Sequence, residues 1–306
     1  MRALFALALL FGTPALLPAQ TPAATPAKPK WSLVKPTTPP GVTLLTKEVA
    51  VYPEHTVTLL VYVPDKAGQY PAILDIHGGG WSKRQVEQDR PMMERLAARG
   101  FVTALVAYRL STEAKYPAAL YDCKAALRYL RAHAEEFKID PARVGVMGGS
   151  AGGHLSGLTA MTSGLPGFEG DGPEPKQSSA VQACVVMAAT MDLVKATEQK
   201  TGEAHLQFFG ATAQEKPELY GQASPITHVR AGVPPTIFIE GEKDTLKIGR
   251  AEMMEKLRAL NIETAVHTLA GAPHPFWMSQ PWLDETVEIA AAFFKKHLGG
   301  PKLTEG

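Results

Sequence analysis

Residues 148–152 read Gly-Gly-Ser-Ala-Gly, a G-x-S-x-G pattern centred on Ser150. The apolar run at 143–147 predicts a buried parallel strand before it, and the small and apolar residues of 151–161 predict a helix after it. A serine on such a sharp turn needs glycines two positions before and after it to relieve crowding, and its hydroxyl then lies at a helix N-terminus that favours a developing anion. The pattern makes Ser150 a candidate nucleophile, although small-residue pentapeptides also occur in ordinary turns.

A second glycine-rich stretch, His-Gly-Gly-Gly-Trp at 77–81, follows an apolar run. Successive glycines let the backbone approach a ligand and turn several N–H groups toward one point, as in an oxyanion hole. We expect the N–H groups of Gly79 and Gly80 to be donors there, together with that of Ala151. The alternative is a flexible turn, but an aromatic residue directly after the glycines, Trp81, favours a pocket wall.

His274 is the candidate general base among the nine histidines. It follows a predicted strand at 263–268, on a loop stiffened by two prolines and just before the final predicted helix. His267 lies inside that strand, and His154 should lie one turn along the helix that follows Ser150. His77 is expected to be structural, because it can bond to the glycine loop that it precedes.

Asp244 is the candidate acid that would orient this histidine. It follows a predicted strand at 236–240 and precedes a helix expected to begin near residue 246, which also allows the alternative role of a helix N-cap. Asp192, after the preceding strand, and Glu242, on the same loop, are rivals. The order Ser, Asp, His along the chain is the order expected of strand-end triads in α/β sheets.

These residues are placed at the ends of strands that alternate with helices. We expect strands over 57–63, 71–76, 101–107, 143–147, 181–188, 236–240 and 263–268, and helices over 91–99, 118–137, 151–161 and 283–297. Such alternation predicts an α/β fold with a mostly parallel twisted sheet and helices on both faces. Active sites of such folds collect at the carboxyl ends of the strands.

The chain divides into three parts by composition. Residues 1–20 have a basic start, a short apolar stretch and a small-residue exit, which predicts a signal peptide cleaved near residue 19 or 20 and export to the periplasm or beyond. Residues 21–41 are rich in Pro and Ala and read as a linker or tail. One domain is expected over 42–300, with a small cap formed by 194–233.

The composition is that of an ordinary globular protein, with 306 residues, 45% hydrophobic residues and a formal net charge of +1. This balance and the absence of a basic run argue against nucleic acid as a partner. No sequence pattern predicts a metal site, an organic cofactor or a membrane span in the mature chain. The two cysteines, Cys123 and Cys184, are expected to be buried free thiols, with a disulfide as the alternative.

Taken together, these motifs resemble the α/β-hydrolase fold and, more narrowly, the esterase and lipase group that carries H-G-G-G-W. The resemblance covers about 42–298 and includes Tyr-Arg-Leu at 108–110, Ser-Pro-Ile-Thr at 224–227 and His-Pro-Phe-Trp at 274–277. It implies a triad of Ser150, Asp244 and His274 with the oxyanion glycines. Within this group the chain resembles secreted bacterial acetyl- and feruloyl-esterase-like enzymes that act on plant polysaccharide esters.

Two features depart from the hormone-sensitive-lipase-like branch of this group. That branch usually has Asp before the nucleophile, where this chain has Gly149, and it has a large N-terminal helical cap. An open site without that cap suits a bulky or polymeric ester better than a long acyl chain.

Several aromatic residues are predicted either to line the substrate pocket or simply to pack in the core. The aromatic candidates for the substrate pocket are Trp81, Tyr108, Phe208, Phe209 and Trp277. Arg109 and Asp122 are expected to pair and brace the loop after the 101–107 strand against the long helix.

The resemblance implies a serine carboxylic-ester hydrolase without cofactor, acting through an acyl-enzyme on short-acyl or plant-polysaccharide esters, acetyl or feruloyl. An arylformamidase-like amide hydrolase is the alternative, because such enzymes share H-G-G-x-W. A non-catalytic binding protein on a hydrolase scaffold would be expected to lack a triad residue, and none is missing here.

Overall fold

The computed structural model describes residues 32–198 and 200–304. Nine strands in this part of the chain form one sheet. The strands are β1 (Val42–Val51), β2 (Thr56–Pro64), β3 (Gly68–Ile76), β4 (Val102–Ala107), β5 (Ile139–Gly149), β6 (Ala183–Met187), β7 (Thr236–Gly241), β8 (Thr264–Leu269) and β9 (Lys302–Leu303). The helices are α1 (Val86–Ala97), α2 (Ala118–Ala132), α3 (Ala151–Met161), α4 (Leu193–Thr197), α5 (Glu203–Phe209), α6 (Pro217–Gln222), α7 (Arg250–Ala259) and α8 (Trp282–Leu298).

The strand order across the sheet is β1-β2-β4-β3-β5-β6-β7-β8, and β9 pairs with the start of β3. β1 and β2 are antiparallel to their neighbours, whereas β4, β3 and β5 to β8 run parallel. Helices connect the parallel strands, as right-handed crossovers require. The predicted α/β fold with a mostly parallel sheet is confirmed, and the carboxyl ends of β3 and β5 to β8 lie at one edge.

Helices cover both faces of the sheet and bury two separate apolar cores. Helices α2, α3 and α7 pack on one face, and α1 and α8 on the other. Because successive side chains of a strand point to opposite faces, Leu74 and Ile76 of β3 enter the first core while Ile73 enters the second. A strand buried on both faces is therefore apolar at nearly every position, as β3 is.

Three predicted helix limits are wrong. α1 begins at Val86 rather than at residue 91, because the buried side chains of Val86 and Asp89 extend its inner face, and Pro91 lies inside the helix. α2 ends at Ala132, ahead of the predicted 137. α7 begins at Arg250, not near residue 246, because Gly249 occupies the left-handed region just before it.

The described part of the predicted linker is extended and lies against the body of the domain. Leu33 pairs with Ser279 in an isolated β-bridge, and the Val34 N–H donates to the Met278 carbonyl at 3.1 Å. The Thr37 N–H donates to the carboxylate of Glu94 on α1 at 2.6 Å. This segment, 32–40, therefore contacts both α1 and the loop that carries His274.

Both cysteines are free and fully buried, as expected. The predicted signal peptide at 1–20 lies outside the described residues. Among the helices of the described part, none is long and apolar enough to cross a membrane.

Candidate active site

The structure brings Ser150, His274 and Asp244 together in one hydrogen-bonded chain. His274 Nδ1 lies 2.8 Å from Asp244 Oδ2, and His274 Nε2 lies 3.1 Å from Ser150 Oγ. A carboxylate only accepts, so Nδ1 carries the proton and Nε2 accepts from the serine hydroxyl. This is the arrangement in which a histidine takes the proton of a serine nucleophile.

Ser150 occupies a strained turn between β5 and α3. Its φ of 58° and ψ of −124° lie in a region that a residue with a side chain rarely adopts. The turn fits because its neighbours are glycines: a Cβ on Gly152 would lie 1.7 Å from the Ile76 carbonyl oxygen, and one on Gly148 would lie 2.4 Å from the same atom. The strain is held by the close approach of β3 and α3.

Gly149 has a different reason to lack a side chain. A Cβ at this position would lie 2.2 Å from Cζ2 of the Trp277 indole. Trp277 fills the space beside the nucleophile turn and packs edge-on against the His274 ring, with ring centroids 5.2 Å apart. The indole of Trp277 therefore occupies the space that an Asp side chain at position 149 would need.

Asp244 is held in place by the loop after β7. Its Oδ1 accepts from the Leu246 N–H at 2.9 Å, and its side chain is almost fully buried. The rival acids have other partners: Asp192 accepts from the Lys195 N–H at the start of α4, and Glu242 accepts from the Gly271 N–H. Neither rival contacts His274.

The glycine loop after β3 lies beside Ser150. Gly79 and Gly80 have φ angles of 104° and 59°, and a Cβ on Gly79 would lie 2.2 Å from the Lys83 carbonyl oxygen. Among the described residues, no acceptor takes up the N–H groups of Gly79, Gly80 or Ala151. Unpaired N–H groups beside a nucleophile are what an oxyanion requires.

His77 supports this loop from below. Its ring stacks on Tyr108 at 4.3 Å, and its Nδ1 lies 2.7 Å from the Gly78 carbonyl oxygen. The Tyr108 hydroxyl donates to the His77 carbonyl at 3.0 Å. Burial lowers the pKa of His77 to about 4, so the ring is neutral at neutral pH. His77 is structural, as expected.

Two cavities meet at Ser150. One, of about 180 Å³, is mostly apolar and is lined by Gly80, Trp81, Ser150, Ala151, His154, Ala189, Thr190, Ala204, His205 and Leu246. The other, of about 390 Å³, is more open and polar and is lined by Gly79, Gly80, Ser82, Lys83, Gln85, Ser150, Ala204, His274, Pro275 and Trp277. We call them the apolar cavity and the polar cavity.

Of the aromatic pocket candidates, Trp81 lines the apolar cavity and Trp277 the polar one. Tyr108, Phe208 and Phe209 are buried and line neither cavity. Phe208 stacks behind Trp81, with ring centroids 4.6 Å apart, so it supports the wall without forming its surface.

Sequence reasoning missed the contributions of α5 and of the turn after the glycine loop. Ala204 and His205 on α5 face the apolar cavity, and Lys83 lines the polar one. The predicted cap at 194–233 was the only signal for α5. The signal for Lys83 is its position two residues after Trp81, the end of the glycine-rich stretch.

Arg109 and Asp122 pair as expected. The guanidinium donates to Asp122 Oδ1 at 2.8 Å, and the Arg109 N–H donates to Oδ2 at the same distance. The Asp122 carboxylate has no exposed surface, so this pair fixes the loop after β4 to α2.

Among the described residues, no group of three or more His, Cys, Asp or Glu side chains is arranged to hold a metal ion.

Comparison with known proteins identifies the family. The BD-FAE family model matches residues 59–254. The esterase LipC of Mycobacterium tuberculosis is 30% identical over 219 residues, 67% of this chain and 53% of LipC. The probable carboxylic ester hydrolase LipM of the same organism is 32% identical over 188 residues, 60% of this chain and 43% of LipM. The chain thus spans about half the length of these curated relatives.

Solved structures show the same fold. Propionate-bound esterase 2 of Thermogutta terrifontis superposes with a TM-score of 0.70 at 26% identity, covering 87% of this chain and 97% of that one. A bifunctional GH43-CE protein of Bacteroides eggerthii superposes with a TM-score of 0.72 at 26% identity, covering 83% of this chain and 38% of that one. With its sheet order, its nucleophile turn and these matches, the chain belongs to the BD-FAE family of α/β-hydrolase esterases.

Proposed function

We propose that this protein is a serine carboxylesterase that acts through an acyl-enzyme on short-acyl esters of polar alcohols such as carbohydrates. The observation that carries the reaction type is the hydrogen-bonded chain from Asp244 through His274 to Ser150, set beside N–H groups without an acceptor. The relatives and structural neighbours that are named esterases support the same class.

The geometry supports the following steps. His274 Nε2 takes the Ser150 proton, and Oγ attacks the ester carbonyl carbon. The N–H groups of Gly79, Gly80 and Ala151 stabilise the oxyanion, and Asp244 stabilises the imidazolium that forms. His274 then gives the proton to the leaving alcohol, and in the second half it activates the water that releases the acid.

The position of His274 supports a division of the ester between the two cavities. The leaving oxygen must lie within hydrogen-bond reach of Nε2, so the alcohol occupies the cavity that His274 lines. That cavity is the polar one, with Ser82, Lys83 and Gln85 on its wall. The acyl group then enters the apolar cavity beside Trp81. A polar, bulky alcohol and a small apolar acyl group fit this division.

The apolar cavity limits the acyl group by its size. Its volume of about 180 Å³ is only slightly above that of a cavity of about 150 Å³ that holds benzene. Acetyl and similar short acyl groups fit, whereas a feruloyl group carries an aromatic ring and a propenoyl arm and overfills it. The propionate bound to Thermogutta terrifontis esterase 2 and the carbohydrate-esterase part in the name of the GH43-CE protein support this choice.

Substitution of Ser150 tests the reaction type. We expect Ser150→Ala to lose essentially all hydrolysis of a short aryl ester and all labelling by a fluorophosphonate probe. Ser156→Ala is the matched control, because Ser156 is a fully buried serine on α3, the helix that follows Ser150. Near wild-type turnover by Ser150→Ala would refute the assignment.

A substrate panel tests the specificity. We expect kcat/KM to fall along a series of aryl esters of increasing acyl length, and acetylated xylan to be turned over faster than methyl ferulate. The opposite order for xylan and ferulate would place the aromatic acid in the apolar cavity.

We also propose that the protein is exported, on the pattern of residues 1–20. Fractionation of expressing cells tests this proposal, and protein retained in the cytoplasm at full length would refute it.

A further inference from the structure

Two buried carboxyl groups face each other behind the active site, and the mechanism above uses neither. Asp75 is the residue before the last of β3, and Asp89 lies on α1; neither has appreciable exposed surface. Asp75 points to the same sheet face as Ile73, toward the core that α1 and α8 cover. A carboxyl group in such a core costs free energy unless it is hydrogen-bonded.

The pair lacks donors. Both oxygens of Asp75 and one of Asp89 have no partner among residues 32–198 and 200–304, and no cationic side chain in those ranges forms a salt bridge with either. The other Asp89 oxygen accepts from the Trp277 Nε1–H at 3.0 Å. Two neighbouring carboxyl groups that are buried away from water cannot both be ionised. One of them therefore keeps its proton and donates a hydrogen bond to the other.

The direction of the proton follows from the surroundings. Burial and then the charge of Asp89 raise the pKa of Asp75 well above its usual range. Burial also raises the pKa of Asp89, but hydrogen bonds from Trp277 and Asp75 oppose the rise. Asp75 is therefore the protonated donor, and Asp89 is the acceptor.

Asp89 connects the parts of the site that hold the reacting groups. Trp277 lies three residues after His274 and packs on Gly149, next to the nucleophile. Asp75 lies on β3, three residues before Gly78, the first glycine of the oxyanion loop. The two carboxyl groups thus lie between the loop of the base, through Trp277, and the strand end from which the oxyanion loop begins.

We propose that Asp75 and Asp89 form a carboxyl pair sharing one proton, which positions the His274 loop and the oxyanion loop around Ser150. Both are positioning residues, since neither touches the reacting atoms. The inference rests on the ester hydrolysis proposed above, but one of its tests does not depend on activity.

The first test exchanges the donor. In Asp75→Asn an amide N–H replaces the carboxyl O–H, so we expect kcat for a short aryl ester within about threefold of wild type. Asp75→Leu keeps the four-atom branched shape of the side chain but has no donor, and we expect its kcat to fall about tenfold or more with KM changed less than about threefold, because the site geometry rather than substrate binding is lost. Rescue by the amide is a result that a role in stability alone would not give.

The second test observes the proton itself. We expect the infrared spectrum of the wild-type protein at neutral pH to contain the carbonyl band of a protonated carboxyl group, and Asp75→Asn to lack it. This measurement also decides the matter if Asp75→Leu does not fold.

Glu94→Gln is the matched control. Glu94 is a buried carboxylate further along α1, bonded to the Tyr62 hydroxyl and the Thr37 N–H, and it lines neither of the two cavities at Ser150. We expect it to lower the melting temperature and leave kcat unchanged. Absence of the infrared band in the wild type, or equal loss of kcat in Asp75→Asn and Asp75→Leu, would overturn the proposal. A wild-type protein with the band but without ester turnover would count against the proposed function and not against the pair.

Discussion

The contact between Gly149 and Trp277 provides a quantitative test of how the site is held together. In Gly149→Ala the new methyl carbon would lie 2.2 Å from Cζ2, 2.4 Å from Cε2 and 2.7 Å from Cη2 of the indole. Ordinary contacts of a Cβ begin at 3.4 Å. The indole must therefore move by roughly one ångström, because the backbone on the other side is fixed by β5 and β6.

The expected cost has two parts. Overpacking of a well-filled core lowers the free energy of unfolding by about 1–3 kcal/mol. Trp277 also packs against the ring of His274, so its displacement moves the base, and a misplacement of about 1 Å at a reacting group costs on the order of 100-fold in rate. We expect kcat to fall between about 10-fold and 100-fold, with KM changed much less.

The assay is steady-state hydrolysis of a short aryl ester, together with thermal unfolding followed by circular dichroism. Gly221→Ala is the control, because a Cβ at Gly221 on α6 would meet no atom within 4 Å. In a Trp277→Ala background the new methyl group meets no indole, so Gly149→Ala should cost less stability there than it costs in the wild type. A Gly149→Ala protein with wild-type kcat and melting temperature would show that the indole is not fixed by this glycine.

Two further results are expected. Asp244→Asn should lower kcat by about a thousandfold or more, because the amide no longer fixes the His274 tautomer. Asp192→Asn changes only the cap of α4 and should leave kcat unchanged. Equal losses of kcat in the two variants would contradict the assignment of Asp244 as the acid. Burial lowers the pKa of both His77 and His154 from 6.5 to about 4. As the pH falls, these histidines therefore take up protons in the unfolded chain at a higher pH than in the folded protein. The stability that they contribute above about pH 6.5 is lost as the pH falls toward 4. Calorimetry should show that lowering the pH from about 6.5 to 4 reduces the melting temperature of His154→Gln by less than that of the wild type; equal pH slopes in the two proteins would mean that the His154 ring is protonated in the folded state.

The reacting residues could be predicted from the sequence because each follows an apolar strand and has a restricted backbone. Ser150 has glycines two positions before and after it, His274 lies between prolines, and Asp244 follows the end of β7 by three residues. In a parallel sheet the carboxyl ends of strands meet at one edge, so position along the chain was enough to bring these residues together. Local sequence and sheet geometry point to the same residues.

The walls of the cavities could not be predicted in the same way. Phe208 and His205 lie on one short helix, yet the first packs behind Trp81 and the second faces the apolar cavity. Which side of α5 faces inward depends on how the helix docks on the sheet, and a helix of seven residues has too few turns for its periodicity to show this. The contact of Asp75 with Asp89 likewise depends on the packing of α1 on β3, and no local pattern marks it.

The extended segment 32–40 alters where the catalytic unit begins. A gene fragment that starts at the first strand, β1, would encode the complete sheet and every residue that lines the two cavities. It would nevertheless leave the carbonyl of Met278 and the buried carboxylate of Glu94 without the main-chain donors that they have here. The part of the chain that supports the site therefore begins upstream of β1, the first strand of the sheet. A protease that cuts between residues 32–40 and β1 would loosen the loop of His274 without cutting the core.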